Sequence, residues 1–257
     1  MIRSKIQKRG KSLLKKRKKE YLISMDNNLI NKQFIDPKSD TFEKVVFLYD
    51  SAIKELKTKI EILQDEMKLF YGYEPIESIS TRVKSPESIL KKLNTKGYEP
   101  TYENLFEKIN DVAGVRIVCN FKKDVYKIAE TIENFQDIRV LSKKDYLKTP
   151  KKSGYRSYHL VVSIPVSFSE GTMYVKVEIQ IRTIGMNFWA SLEHKLKYKN
   201  DNISKGDSKS LEKYAKVINS IDDGMFTIYD KMADNNDFLY IEAADDEPNL
   251  KKFKFKL

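Results

Sequence analysis

Between Phe42 and Phe70 the apolar residues fall at Phe42, Val46, Tyr49, Ile53, Leu56, Ile60, Leu63, Met67 and Phe70, an unbroken alternation of four- and three-residue steps. At 3.6 residues per turn these positions form one narrow stripe. The pattern therefore predicts a long amphipathic helix, ended by Tyr71-Gly72-Tyr73-Glu74-Pro75. Such a helix gains most of its stability by burying its stripe, so it needs either a core or a second chain to cover it. The same spacing returns at Leu211, Tyr214, Ile218, Ile221, Met225, Ile228 and Met232. Intramolecular packing is the simpler fate of both stripes; two of them around a modest core also point toward a homo-oligomer.

Between the stripes the period switches. Ser85-Pro86-Glu87-Ser88 offers a hydroxyl cap and a first-turn proline, and so predicts a helix start. A helix is expected over 101–109, a strand over Gly114–Cys119, a helix over 122–134 and a strand near Ile138–Leu141. A basic loop from Leu147 to Tyr155 leads into a strand over Tyr158–Val166. A turn around Ser167–Thr172 then returns the chain along MYVKVEIQIR, and a helix follows over 184–199. The fold class is α+β, with helices surrounding a sheet.

No apolar run nears the roughly eighteen residues that span a bilayer, and no secretory signal opens the chain, which predicts a cytoplasmic protein. One cysteine, Cys119, and two histidines, His159 and His194, leave a metal to be held by carboxylates. Cys119, inside the run VRIVC, reads as a small core residue. There is no glycine-rich phosphate loop, so any phosphate must be gripped by lysine and arginine side chains. Residues 1–19 hold ten Lys or Arg and no acid, leaving 38 basic and 37 acidic residues elsewhere, so the net charge of +11 is an arm and not a field over the whole domain. Such an arm suits single-stranded RNA or an acidic partner; a solubilising tail is the simpler account.

Four segments carry chemistry. In VEIQIRT the period of two sets Glu178, Gln180 and Arg182 on one face and Val177, Ile179 and Ile181 on the other. In the helix that follows, Asn187, Ser191, His194 and Tyr198 share one side, and Ile184, Phe188, Leu192 and Leu196 another. In INDVAGVRIVC, Asp111 precedes a strand containing Arg116; with Glu178 it supplies the oxygen ligands that Mg²⁺ takes beside substrate phosphates. In TRVKSPESILKK, Lys84, Ser88 and Lys92 recur at steps of four and can point one way. In DYLKTPKKSGYRSYH, Lys148, Lys151, Lys152 and Arg156 surround Tyr155, read as an exposed ring on which a base could stack.

Taken together and in this order, the segments resemble the synthetase domain of the RelA/SpoT family over roughly residues 42–200. SGYRSYH and VEIQIRTIGMNFWASLEHKLKYK are closest to the stand-alone small alarmone synthetases. The resemblance implies a mixed, mainly antiparallel, nucleotidyltransferase-like sheet. It also implies transfer of pyrophosphate from ATP to the 3′-hydroxyl of GTP or GDP. Arg82 and Arg116 would sandwich adenine, with Lys84, Ser88 and Lys92 on the ATP phosphates. Tyr155 would stack on guanine, and Lys144, Lys151, His159, Gln180 and Asn187 would complete the GTP/GDP site. Asp111 and Glu178 would hold Mg²⁺, with Glu178 also the base. Some relatives form tetramers.

Two positions depart from the family. Thr95 stands where some relatives place a phosphate-binding arginine, with Lys96 adjacent, and Ser78 stands where tetrameric relatives place an aromatic of an allosteric pocket. The expected organisation is a basic arm over 1–41, a synthetase domain over 42–200, a helix over 201–235 that could mediate association, and a tail over 236–257. The segments before 42 and after 200 are too short for the hydrolase and regulatory domains of the long family members. Two rivals remain: a toxin-type relative that pyrophosphorylates the 3′ end of tRNA, which the arm would suit, and a non-enzymatic RNA-binding module, which would need neither Asp111 nor Glu178.

Overall fold

The first stripe turns inward. In the computed structural model, which describes residues 32–199 and 204–234, helix α1 (Asp40–Tyr71) starts at Ser39, whose hydroxyl accepts from the Phe42 N–H, and ends at Gly72 in the left-handed region (φ 61°). Only glycine adopts that conformation without a steric cost. Phe42, Tyr49, Ile53, Leu56, Ile60, Leu63 and Met67 are buried, Val46 is half-buried, and Phe70 in the last turn is exposed.

The remaining elements are β1 (Ile76–Val83), α2 (Pro86–Thr95), α3 (Tyr102–Lys108), β2 (Ala113–Cys119), α4 (Lys122–Glu133), β3 (Arg139–Asp145), β4 (Tyr158–Phe168), β5 (Gly171–Thr183), α5 (Ile184–Lys199) and α6 (Lys205–Asp234). Five strands form one sheet in the order β1-β2-β5-β4-β3. Only β2 and β5 run parallel; the other three pairings are antiparallel, so the sheet is mixed and mainly antiparallel, as expected. Val115, Ile117, Leu160, Val162, Val177, Ile179 and Ile181 join α1 and the α4 residues Val125, Ile128 and Ile132 in one core. The opposite face of the central strands carries Arg116, His159, Glu178, Gln180 and Arg182, with Val118 and Val161 among them. Cys119 is a buried core residue, and burial pushes its thiol up, away from nucleophilic use.

Strand β1 was not expected. It is an edge strand whose residues are mostly exposed, with a bulge between Ile76 and Ser78, so its apolar alternation is too sparse to signal a strand. Strand β3 likewise runs past Leu141 through Ser142-Lys143-Lys144-Asp145, because an edge paired only with β4 tolerates polar residues. The second heptad stripe behaves unlike the first. Leu211 and Ile218 pack with Ala215 against Trp189 and Ala190, while Tyr214, Ile221, Met225, Ile228 and Met232 are more than half exposed. Ile184, Phe188, Leu192 and Leu196 of α5 are exposed too, so they form an outward apolar side, and the helix buries Met186, Trp189, Ala190 and Glu193 instead. No described helix is long and apolar enough to cross a membrane. The basic arm and the tail from residue 236 lie outside the described residues.

Candidate active site

Strand register lines up one polar row across the sheet. Arg116 of β2 lies opposite Gln180 of β5, Gln180 opposite His159 of β4, and His159 opposite Lys144 of β3. Directly paired residues share a sheet face, so four side chains far apart in sequence come onto one surface. Arg82 sits at the β1 edge, opposite Gly114, and its charge, with that of Arg182, acts on Arg116. Burial first, then these two guanidiniums, lowers the Arg116 pKa from its ordinary value.

Asp111 lies in the turn before β2. Lys84 Nζ is 3.0 Å from its Oδ2 and Lys92 Nζ 2.7 Å from its Oδ1, so two of the three residues proposed for ATP phosphates grip this carboxylate. Burial alone would raise the Asp111 pKa, but the two lysines outweigh it and hold the carboxyl below its ordinary value. Ser88 stands one turn from Lys92 on α2, exposed, with the Ser85 hydroxyl donating to its Oγ at 3.0 Å. Glu178 shows the same balance. Burial raises it, while His159 (Nδ1–Oε1 3.5 Å) and Gln180 (Nε2–Oε2 2.8 Å) lower it further, leaving it below its ordinary value. The Asp111 charge acts on Glu178, so the two carboxylates are neighbours.

The basic loop is a structured turn. Gly154 N–H donates to Lys151 O at 2.8 Å and Lys151 N–H to Tyr155 O at 3.1 Å. Gly154 has φ 90°, and a Cβ there would lie 2.5 Å from the Ala215 Cβ of α6. Tyr155 is not the exposed ring that sequence suggested. It is half-buried, packed by Trp189, Ala190 and Ala215, and its hydroxyl lies 2.9 Å from His159 Nε2 and accepts from Arg182 Nη2 at 2.6 Å. Lys151 Nζ lies 4.6 Å from the Tyr155 ring centroid and 4.9 Å from that of Tyr146. Lys148 turns instead toward Tyr126, and Arg156 donates to Leu147 O at 2.6 Å, a structural role.

Three buried polar atoms have no hydrogen-bond partner among the described residues: Asp111 Oδ1, which has only its ion pair with Lys92, Arg116 Nε and Asn187 Oδ1. Leaving such groups unpaired costs about 1–3 kcal/mol each, which marks this face as one completed by a polar ligand. Of the other polar residues on that side of α5, Ser191 is half-buried, His194 is exposed, and the Tyr198 side chain lies outside the described residues. Sequence reasoning gave Arg182 no role, although its place on the Glu178 face was legible; Ser157 and Tyr146, which touch Arg182 and His159, carried no signal. The described residues hold no group of three metal-ligating side chains. Two ionised carboxylates close enough for the charge of one to act on the other nevertheless have the chemistry for Mg²⁺, which takes its remaining ligands from phosphates and water.

An ionised carboxylate pair beside guanidinium and lysine side chains on a mixed sheet suits a phosphate-bearing ligand. Residues 81–203 match the region found in RelA/SpoT proteins. The chain is 40% identical over 205 residues to GTP pyrophosphokinase YwaC of Bacillus subtilis (strain 168), spanning 79% of this chain and 98% of that one. It is 38% identical over 188 residues to GTP pyrophosphokinase YjbM of the same organism, spanning 73% and 88%. The chain belongs to the RelA/SpoT family. Its fold is similar to that of small alarmone synthetase 2 of Bacillus subtilis (40% identity, 75% of this chain, 100% of that one, TM-score 0.68). It is also similar to small alarmone synthetase 1 of that organism bound to its product pppGpp (35% identity, 75% and 98%, TM-score 0.70).

Proposed function

We infer that this protein transfers the pyrophosphoryl group of ATP to the 3′-hydroxyl of GTP or GDP, making pppGpp or ppGpp and AMP. The observation that carries the reading is the pair Asp111 and Glu178, both held ionised on a face lined by Arg82, Arg116, Lys84 and Lys92. Its relatives' names, GTP pyrophosphokinase, and the pppGpp-bound neighbour support the same chemistry.

Arg82 and Arg116 take the adenine, and Lys84, Ser88 and Lys92 the ATP phosphates. The lysines already sit on an anion, Asp111, so ATP exchanges one set of negative oxygens for another. Tyr155 stacks on guanine, with Lys144, Lys151, His159, Gln180 and Asn187 around the acceptor nucleotide. Glu178 accepts the 3′-hydroxyl proton as the O3′–Pβ bond forms and the Pβ–O bond to the α-phosphate breaks, and AMP leaves with that electron pair. Asp111 and Glu178 would hold Mg²⁺, which when bound neutralises phosphate charge. Thr95 does not replace the arginine of some relatives, since its hydroxyl donates to Lys91 O at 2.7 Å; Lys96, next in sequence, is the C-cap of α2.

The synthetase unit covers residues 42–200. The exposed apolar sides of α5 and α6 support a homo-oligomer, a tetramer by family resemblance, while Ser78, exposed at the β1 edge, does not favour an aromatic allosteric pocket. The basic arm is the element for single-stranded RNA, and the absence of a membrane-spanning pattern accords with a cytoplasmic protein. Incubation with labelled ATP and either GTP, GDP or tRNA tests the assignment. Labelled pppGpp or ppGpp supports it, label on tRNA alone would make the protein a tRNA-modifying relative, and no product with any acceptor would leave a binding role.

A further inference from the structure

We propose that Arg182 is a positioning residue that sets the direction of a ring of polar contacts, Arg182–Tyr155–His159–Glu178–Gln180, four of its links hydrogen bonds and the His159–Glu178 link a 3.5 Å contact, and thereby ties the ring that stacks on the acceptor base to the carboxylate that activates its hydroxyl. The proposal rests on the roles assigned above to Tyr155 and Glu178.

A guanidinium can only donate hydrogen bonds. Arg182 Nη2 gives one to the Tyr155 hydroxyl at 2.6 Å and one to Gln180 Oε1 at 2.7 Å, and Nε approaches Ser157 Oγ at 3.4 Å. Having accepted from Arg182, the Tyr155 oxygen turns its own hydrogen to His159 Nε2, 2.9 Å away. That nitrogen must then be the acceptor, so a neutral imidazole carries its proton on Nδ1, facing Glu178 Oε1 at 3.5 Å. On the other branch the Gln180 carbonyl is used by Arg182, which leaves its amide to donate to Glu178 Oε2 at 2.8 Å. Both branches run from one buried cation to the two oxygens of one carboxylate. With Arg182 in place, reversing either branch would set donor against donor or acceptor against acceptor in a half-buried site.

Arg182 is 4% exposed, and its guanidinium carbon lies 5.1 Å from the Tyr155 ring centroid, so it also supports the aromatic ring. Its hydrogen bonds go to neutral groups on the acceptor side of the site, whereas Arg82, Lys84, Ser88 and Lys92 lie on β1, α2 and the turn between them; of the ATP residues only Arg116 feels its charge, as a repulsion that the neutral variant relieves. Loss of the Arg182 donors should therefore disturb acceptor use and spare ATP.

The test compares Arg182→Met and Arg182→Lys with the parent chain, reading the KM for each nucleotide, kcat, and the ¹⁵N NMR signals of the His159 ring. The chain has two histidines, so a His194→Gln background isolates the signal. The expected result is a defined Nδ1–H tautomer in the parent. In Arg182→Met a tautomer mixture should appear, with kcat/KM for GTP down at least about tenfold, the scale of losses when partners that orient a reactive group are removed. The KM for ATP should stay within about twofold, and Arg182→Lys should recover part of the loss. An unchanged tautomer and unchanged GTP kinetics in a folded Arg182→Met protein would overturn the proposal, as would equal losses for both nucleotides. Should that variant fail to fold, Tyr155→Phe, which removes only the hydroxyl, must still abolish the single tautomer; a retained tautomer there also overturns it. If the tautomer shifts as expected but Glu178→Gln turns over normally, the ring stands and the assignment of Glu178 as base fails.

Discussion

At the scale of single residues the site works by placing ionised carboxylates where charge is already balanced. Glu178 is half-buried, and His159 and Gln180 outweigh the effect of burial and hold its carboxyl below the ordinary value, ready to take a proton once the acceptor hydroxyl approaches. Glu178→Gln preserves shape and removes both negative charge and basicity; turnover should fall by at least about a hundredfold, with circular dichroism unchanged. A folded variant with near-normal turnover would remove Glu178 from the role of base. Tyr155→Ala should weaken guanine-nucleotide binding by about 1–3 kcal/mol, the scale of stacking on an aromatic ring, and leave ATP binding nearly untouched. Titration calorimetry with each nucleotide checks this; equal losses for both would contradict the placement of guanine on Tyr155.

At the scale of elements, helix α6 braces the acceptor side. Gly154 and Gly185 give it room: a Cβ at Gly185 would lie 2.5 Å from Asp222 Oδ1, as one at Gly154 would from Ala215. Trp189 Nε1 donates to Leu211 O at 3.1 Å, and Thr183 Oγ1 to Asp222 Oδ2, so the end of β5, the start of α5 and the loop carrying Tyr155 are locked to one helix. Gly154→Ala adds a methyl group where φ is positive and no space exists. It should cost about 1–3 kcal/mol from backbone strain alone and raise the KM for GTP more than that for ATP. Thermal denaturation and steady-state kinetics measure both; an unchanged melting temperature with unchanged GTP use would show that α6 does not brace the loop.

At the scale of the whole molecule, the two heptad stripes have opposite fates. The stripe of α1 is consumed by the sheet, whereas that of α6 is exposed except at Leu211 and Ile218, as are Phe188, Leu192 and Leu196 of α5. Exposed apolar faces of this extent mark association surfaces. Phe188→Asp combined with Met225→Asp should lower the assembly state seen by light scattering while the circular dichroism spectrum stays helical; an unchanged mass would place the interface elsewhere. Deleting residues 1–24 removes ten basic residues and one acid, taking the net charge from +11 to +2. Synthesis from ATP and GTP should persist, while RNA affinity falls and its salt slope flattens by roughly 0.7 per lost contact to a single strand. A large fall in turnover with RNA binding unchanged would make the arm part of the enzyme.

Periodicity alone determined the long helices, the central strands and the face on which Glu178 and Gln180 stand, because heptad and period-two spacing are local consequences of backbone geometry. The family was legible in SGYRSYH and VEIQIRT for the same reason: each is one uninterrupted segment. Strand β1 and the polar end of β3 were not legible, since edge strands need no apolar alternation. Nor could sequence tell which heptad stripe would be covered, a matter of how much sheet each helix meets. Only tertiary structure brought Lys84 and Lys92 onto Asp111, half-buried Tyr155 and closed the ring through Arg182, because register between strands, not spacing along the chain, decides which side chains meet.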